Sequence, residues 1–373
     1  MGKEYHKSPH ISSPSPSRFH SIKAMRPDRS TLPRLGRNLK LFFLDSWFDV
    51  LCVLVVAGIA GAVWIVEARP ARLFPLFSPD GTTYAPDIAY PYQKNIFSSL
   101  TAGLICGFIP IGTILLAQIW LKSFADLSSG ILGLLYSLAT GTCFQVILKK
   151  SIGGLRPHFL AVCEPVIPED VVGVGFNGIM YRVDQVCTGD RAQINNALQS
   201  FPSGHSEIAF AGLGYLTIYL FTHLRIPDRT KTERAGFWRM ILVMLPLLLA
   251  TYIACTLVLG YHHHATDCFF GAAVGIVTAS LGYRSAYRSL FDGATNWMPR
   301  LGRRMKRELE RKGELVAEVA DEEAALGARG REIEAGADRE DFADPLRRAG
   351  RRSQSARDTL HENDQQDYQR GLA

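Results

Sequence analysis

The stretch FWRMILVMLPLLLATYIACTLVLGYHHHATD, residues 237–267, places an almost uncharged run directly before three histidines and an aspartate. From Phe237 to Leu259 the run contains one charged residue, Arg239, near its start. A helix of about 20 such residues matches the roughly 30 Å thickness of bilayer hydrocarbon. The stretch therefore predicts a membrane-spanning helix that ends at a polar border.

Apolar windows of this kind recur along the chain, which has 373 residues, 47% of them hydrophobic. One alternative is that one or two windows are buried helices of a soluble α protein, but six windows in one chain argue against it. The predicted fold is all-α, a six-transmembrane-helix bundle with a polar site at the non-cytoplasmic membrane face. The six predicted spans are Phe48–Glu67, Leu100–Leu121, Leu127–Leu148, Glu207–Phe221, Phe237–Leu259 and Phe269–Tyr287.

The distribution of basic residues predicts the orientation of the bundle. Lys and Arg are abundant in the N-terminal tail, in the 222–236 loop and directly after the sixth window, whereas the 158–201 loop is acidic on balance. Because positively charged loops stay in the cytoplasm, both termini are predicted there, and the 158–201 loop is predicted to be lumenal or extracellular. The net charge of +6 is thus a topology signal, and the absence of a basic face interleaved with aromatic residues argues against nucleic-acid binding.

Composition divides the chain into three parts. Residues 1–45 are predicted to be a disordered, basic cytoplasmic tail because they are rich in Ser, Pro and basic residues. Residues 46–290 hold the six-span membrane domain, and residues 291–373 are predicted to be a charged cytoplasmic tail, partly helical and disordered at its end.

Two of the seven cysteines, Cys163 and Cys187, share the 158–201 loop. A disulfide between them suits an oxidising compartment, and two free thiols are the alternative.

Polar residues cluster at three points along the chain. The segment KKSIGGLRPHF (149–159) follows the third window, FPSGHSE (201–207) begins the fourth, and YHHHATD (261–267) joins the fifth to the sixth. Counting spans from a cytoplasmic N-terminus places all three on the same side of the membrane. Each segment alone has an ordinary explanation, as interfacial anchors, a helix cap or interfacial histidines. Together, at the edge of apolar spans, they predict one functional site.

The residue types in these segments suit phosphoryl transfer. Lys149 and Arg156 offer a point cation and a planar bidentate donor to a phosphate. Ser203 and Gly204 begin a helix whose backbone N–H groups and dipole favour the same anion, and Gly204 permits close approach of the backbone. His205 can act as a general acid towards a leaving oxygen.

The last segment supplies a candidate nucleophile. His263 and Asp267 stand four residues apart and share a face if the segment is helical. A carboxylate bonded to one ring nitrogen fixes the tautomer and leaves the other nitrogen free to attack. A metal site built from His262, His263, His264 and Asp267 is the weaker alternative, because consecutive residues of a helix point in different directions.

The three segments resemble the signature motifs of the type 2 phosphatidic acid phosphatase superfamily, also called lipid phosphate phosphatases, in its eukaryotic membrane branch. The family patterns are Lys-x6-Arg-Pro, Pro-Ser-Gly-His and Ser-Arg-x5-His-x3-Asp. The flanking sequences SIGGLRPHFLAVCEP and VCTGD are also similar, and the resemblance covers roughly residues 45–290. The matching residues are Lys149, Arg156 and Pro157 for the first motif, Pro202, Ser203, Gly204 and His205 for the second, and His263 and Asp267 for the third.

The resemblance implies a membrane enzyme that hydrolyses phosphatidic acid, diacylglycerol pyrophosphate or related lipid phosphates, without a metal or other cofactor. His263 would attack phosphorus and form a phosphohistidine, oriented by Asp267, and His205 would protonate the departing alcohol. A homo-oligomer is compatible with the sequence. The residues implied to hold the phosphoryl oxygens are Lys149, Arg156, Pro157, Ser203 and Gly204.

The third motif departs from the family pattern. Its Ser-Arg pair falls on Thr256 and Leu257, and a leucine cannot donate a hydrogen bond to phosphate. Losing one donor to a developing charge typically slows a reaction by about 10²–10³. Three hypotheses about the function stay open: an active phosphatase, a weakened or inactive member that binds lipid phosphates, and a phosphotransferase that passes the head group to another lipid.

Overall fold

The computed structural model describes residues 31–66, 72–226 and 236–311. Of the two predicted tails, 1–45 and 291–373, the parts 1–30 and 312–373 therefore lie outside the described residues. Within these ranges the chain is mostly helical, with one short antiparallel pair of strands. The helices are α1 Thr31–Ile65, α2 Ser99–Leu121, α3 Phe124–Ile152, α4 Phe159–Cys163, α5 Val183–Val186, α6 Arg191–Ala197, α7 Gly204–His223, α8 Phe237–Leu259, α9 Ala265–Ala286 and α10 Arg303–Arg311. The strands are β1 Leu73–Pro75 and β2 Met180–Arg182.

Five of the described helices are long and apolar enough to cross a membrane: α1 from Gly36, α2, α3, α8 and α9. The fourth predicted window corresponds to α7, which is not among these five. The hydropathy of α7 is lower because α7 lies in the centre of the bundle, packed on α2, α3, α8 and α9, with most of its residues buried. A helix surrounded by protein can carry polar residues that a lipid-facing helix cannot.

The first helix begins earlier than the sequence predicts. Disorder is expected up to residue 45 and the span from Phe48, whereas α1 starts at Thr31. Pro33 lies in the first turn, where its missing N–H is tolerated, and helix-compatible residues follow it. Asp45 ties this part of α1 to α10, because its carboxylate accepts hydrogen bonds from the backbone N–H groups of Arg304 (3.0 Å) and Met305 (2.9 Å).

Two glycines allow α7 and α9 to approach closely. A Cβ atom at Gly271 would lie 2.5 Å from the carbonyl oxygen of Ser203, and one at Gly275 would lie 2.5 Å from that of Glu207. Any side chain at these positions would force the two helices apart. The close contact places the start of α9, which follows the three histidines, directly against the start of α7.

A buried polar cluster joins four helices at the opposite end of the bundle. The Asp126 carboxylate accepts hydrogen bonds from Gln118 of α2, Tyr219 and His223 of α7 and Tyr287, directly after α9, at 2.7–2.9 Å. Each donor satisfies part of a charge that would otherwise be costly to bury. The cluster therefore fixes the relative positions of α2, α3, α7 and α9.

The connections 72–97 and 154–200 fold into a lobe at the end of the bundle where α3 finishes and α7 begins. The lobe has its own apolar core, which includes Phe74, Phe159 and Leu198. The β1–β2 pair joins its two connections, and a disulfide joins Cys163 to Cys187. The lobe thus contains most of the polar segment that follows α3 and leads directly into the one that begins α7.

Candidate active site

The end of α3, the start of α7 and the turn between α8 and α9 surround one cavity of about 530 Å³. Five of the residues singled out from the sequence line it, although they come from three distant segments: Lys149, Arg156, Gly204, His205 and His263. Pro157, Ser203 and Asp267 are buried behind this lining. The three segments predicted to converge are therefore adjacent in the structure.

The two cationic side chains are held by the lobe. Lys149, in the last turn of α3, is buried and donates from Nζ to the carbonyl oxygen of Gln199 (3.1 Å). Arg156 donates from Nη2 to the side-chain oxygen of Asn196 (2.8 Å), and its buried Nε has no hydrogen-bond partner among the described residues. Burial lowers the pKa of Arg156 to about 10, so the guanidinium remains charged at neutral pH.

A tight turn brings Arg156 to this position. Gly153 and Gly154 have φ angles of +67° and +122°, which side chains disfavour. Their carbonyl oxygens accept hydrogen bonds from the backbone N–H groups of Phe201 (3.0 Å) and Ser200 (2.9 Å). Because the turn pairs with the chain just before α7, the first and second predicted motifs lie side by side.

The second motif forms the start of α7. Ser203 is the N-cap residue, and its hydroxyl oxygen accepts from the backbone N–H of Ser206 (3.5 Å), so this hydroxyl is directed to the helix. Gly204 faces the cavity. His205 lies with Nε2 at 3.1 Å from the carbonyl oxygen of Phe97, and since a carbonyl only accepts, Nε2 carries the proton. Its Nδ1 is the ring atom left for proton exchange.

The third motif brings His263 into the lining of the same cavity. Its Nδ1 lies 3.7 Å from Oδ2 of Asp267, longer than a hydrogen bond, and has no other partner among the described residues. The same Oδ2 accepts from the Ser200 hydroxyl (2.5 Å) and from the backbone N–H of His264 (3.1 Å). Burial holds the pKa of His263 well below its usual range, so the ring is neutral, as a nucleophile must be.

The neighbours of His263 have different surroundings. His262 is buried, both its ring nitrogens lack hydrogen-bond partners among the described residues, and burial lowers its pKa to about 4. His264 is partly exposed, and the bond with Asp267 raises its pKa.

Leu257 is buried, does not line the cavity, and accepts through its carbonyl oxygen from the backbone N–H groups of His262 (2.9 Å) and His263 (3.3 Å). No cluster of three metal-ligating side chains occurs in the part of the chain that the structure describes.

Sequence reasoning missed several residues of the site. Asn196, which holds Arg156, lies in the short helix α6, and Ser200, which holds Asp267, lies just after it; the stretch is too short and polar to carry a periodic signal. Gln145 lines the cavity and donates to the carbonyl oxygen of Pro202 (3.1 Å). It stands four residues before Lys149, on the same helix face, and this spacing could have revealed it. Glu207 also lines the cavity, and a carboxyl within an apolar helix is itself a signal.

Comparison with known proteins decides the family. The model of the PAP2 superfamily matches residues 130–290. The chain is 30% identical over 270 residues to lipid phosphate phosphatase 2 of Arabidopsis thaliana, covering 72% of this chain and 85% of that protein. This chain belongs to the PAP2 superfamily. It is a multi-pass membrane protein of that family, and its relatives carry the names of phosphatases.

Two further relatives come from other kingdoms. The chain is 33% identical over 264 residues to the probable diacylglycerol pyrophosphate phosphatase 1 of Schizosaccharomyces pombe, covering 69% of this chain and 86% of that protein. It is 28% identical over 251 residues to phospholipid phosphatase 2 of Homo sapiens, covering 62% and 79%. No solved structure matches the chain significantly.

Proposed function

We propose that this protein is an integral membrane lipid phosphate phosphatase that hydrolyses phosphatidic acid, diacylglycerol pyrophosphate or a related lipid phosphate. The observation that carries the proposal is the single cavity lined by Lys149, Arg156, Gly204, His205 and His263. Two cations, a helix N-terminus and two imidazoles are the groups that phosphoryl transfer needs. The printed names of the relatives support the substrate class.

The phosphate would lie at the start of α7. Arg156 has a buried Nε without a partner among the described residues, so it can donate to a phosphoryl oxygen while Asn196 holds the other side of the guanidinium. Lys149 supplies a second positive charge, and the N–H groups at Gly204 and beyond contribute the positive end of the helix dipole. Pro157 shapes the chain beside Arg156, and Ser203 keeps the helix start in position by capping it.

The chemistry would proceed through His263. Its Nε2 attacks phosphorus while the bond from phosphorus to the lipid oxygen breaks. His205, protonated on both ring nitrogens before this step, keeps the Nε2 proton on Phe97 and gives the Nδ1 proton to the departing oxygen. Asp267 stabilises the positive charge that develops on the ring, after a shift of roughly 1 Å closes the present 3.7 Å separation to a hydrogen bond. A water molecule, deprotonated by His205, then attacks the phosphohistidine and releases inorganic phosphate. No metal takes part in this scheme.

The proposed topology has six spans: the five helices named above and α7, which is the fourth span in chain order. Its 20 residues suffice to cross the hydrocarbon, and its central packing explains its lower hydropathy. With both termini cytoplasmic, the ends of α3 and α8 and the start of α7 lie on the lumenal or extracellular face. The basic residues in the connections support this orientation, and the Cys163–Cys187 disulfide suits the oxidising side.

The test is phosphate release by the purified protein in detergent micelles containing phosphatidic acid or diacylglycerol pyrophosphate, with EDTA present. We expect release that persists in EDTA and disappears in His263→Ala. A phosphatidic acid labelled with ³²P should leave an acid-labile, base-stable label on the wild-type protein after rapid quenching. The proposal is refuted if the wild-type protein releases no phosphate from any lipid phosphate.

A member with weak or no turnover is the second candidate, and Leu257 is the observation that favours it. The family arginine is absent there, and the buried leucine does not line the cavity. This candidate predicts that the wild-type protein binds phosphatidic acid in micelles with little or no release of phosphate. The retained His205, His263 and Asp267 favour turnover instead.

A further inference from the structure

Glu207 is a buried carboxyl side chain in the wall of the proposed catalytic cavity. It lies on α7, with 1% of its surface exposed, and lines the same cavity as Lys149 and His263. Its Oε1 atom has no hydrogen-bond partner among the described residues. The proposed reaction leaves this side chain without a role.

The surroundings of Glu207 favour its uncharged form. Described basic side chains make no ion pair with it, and an unpaired carboxylate is costly to bury. The nearby Thr278 hydroxyl bonds to carbonyl oxygens of its own helix, those of Val274 and Gly275 (both 3.1 Å). Gly141 leaves the space that the carboxyl occupies, because a Cβ atom there would overlap Oε1. Since Oε1 packs against Gly141, a neutral acid in this place carries its O–H on Oε2, and the described protein groups do not use that donor.

The position of Glu207 along the cavity indicates which part of a substrate it meets. It follows Gly204 by three residues, which corresponds to about 4–5 Å along the helix axis. If the phosphate lies at the start of α7, Glu207 is one turn deeper, where the part of the lipid next to its phosphate must lie. In an acylated lipid phosphate this part carries ester carbonyl groups, which accept hydrogen bonds and cannot donate them.

We infer that the Glu207 carboxyl group donates a hydrogen bond to an ester carbonyl of the substrate, so that the site selects acylated lipid phosphates over their ether-linked analogues. This inference rests on the proposed function and specifies its substrate class. A buried donor built to pair with a substrate acceptor discriminates against a substrate that lacks it. The hydrogen bond joins Glu207 to an ester group of the lipid and not to its phosphate. Glu207 therefore determines specificity without taking part in the chemistry.

The experiment compares two substrates of equal chain length, a diacylglycerol phosphate and the corresponding dialkyl ether phosphate, in the same mixed micelles. For the wild-type protein we expect kcat/KM to be about tenfold higher for the diacyl lipid, the effect of one buried neutral hydrogen bond. Glu207→Met, which keeps the length without a donor, should bring the ratio close to one. Glu207→Gln, which keeps an N–H donor, should retain most of the preference.

The ratio is measured within each variant, so it does not depend on the fraction of protein that is correctly folded. Glu169→Met, the same change at an exposed glutamate of the lobe, is the matched control and should keep the wild-type ratio. A ratio near one for the wild-type protein, or an unchanged ratio in Glu207→Met, overturns the inference while leaving the phosphatase in place. Failure of the wild-type protein to release phosphate from either lipid overturns the proposed function, and the inference with it.

Discussion

The hydroxyl of Ser200 makes the shortest contact to the Asp267 carboxylate, at 2.5 Å, and replacing it tests the proposed role of that carboxylate. In Ser200→Ala the oxygen nearest to His263 keeps the backbone N–H of His264, at 3.1 Å, and the ring Nδ1 of His264, at 3.5 Å. A hydrogen bond to a charged group contributes about 1.5–3 kcal/mol, and each 1.4 kcal/mol corresponds to about a tenfold change. Because both contacts from His264 remain, we expect kcat to fall about tenfold, near the lower limit of that range.

The assay is phosphate release from phosphatidic acid micelles at neutral pH. KM should change less than twofold, because Ser200 does not line the cavity and acts by positioning Asp267. The matched control is Ser206→Ala. Ser206 is equally buried and donates at 2.6 Å to the carbonyl oxygen of Cys268, so this change also removes one short buried bond but none to Asp267. We expect Ser206→Ala to keep the wild-type kcat.

Two results would refute this reasoning. The first is a wild-type kcat in Ser200→Ala, which would mean that the position of Asp267 does not limit the reaction. The second is an equal loss of kcat in both variants, which would indicate a general loosening of the contact between α7 and α9.

Three further predictions concern charge, pH and stability. Arg156→Lys should lower kcat/KM for phosphatidic acid about 10–100-fold, because one ammonium cannot bond Asn196 and also present a planar donor to phosphate; a rate within twofold of wild type would contradict this. His262 has a folded-state pKa of about 4, below the unfolded value of about 6.5, so acidification from pH 6.5 to 4 protonates the unfolded state first and lowers the free energy of unfolding. His262→Phe should therefore raise the unfolding temperature relative to wild type more at pH 5 than at pH 8. Equal increases at both pH values would contradict the assignment of this acid sensitivity to His262. Asp126→Ala should cost about 3–5 kcal/mol of stability by leaving His223 and three other donors without their acceptor; thermal unfolding in detergent measures it, and an unchanged transition would count against the cluster as a stabilising element.

The sequence by itself determined the class of the protein and the chemistry available to it. Membrane spans follow from composition over about 20 residues, and for five helices this local property was sufficient. Residue type and spacing identified the side chains that we propose bind and attack phosphate. Lys149 and Arg156 stand on either side of one turn, and His263 and Asp267 stand four residues apart.

Only the tertiary structure decided which residues support these groups. Ser200 reaches Asp267 across 67 positions of the chain, and Asn196 reaches Arg156 across 40. Contacts between such distant segments leave no periodic pattern, because they depend on how helices pack. The same reason explains the low hydropathy of α7, whose neighbours are protein. It also explains Glu207, whose proposed role depends on the cavity that α3 and α7 share.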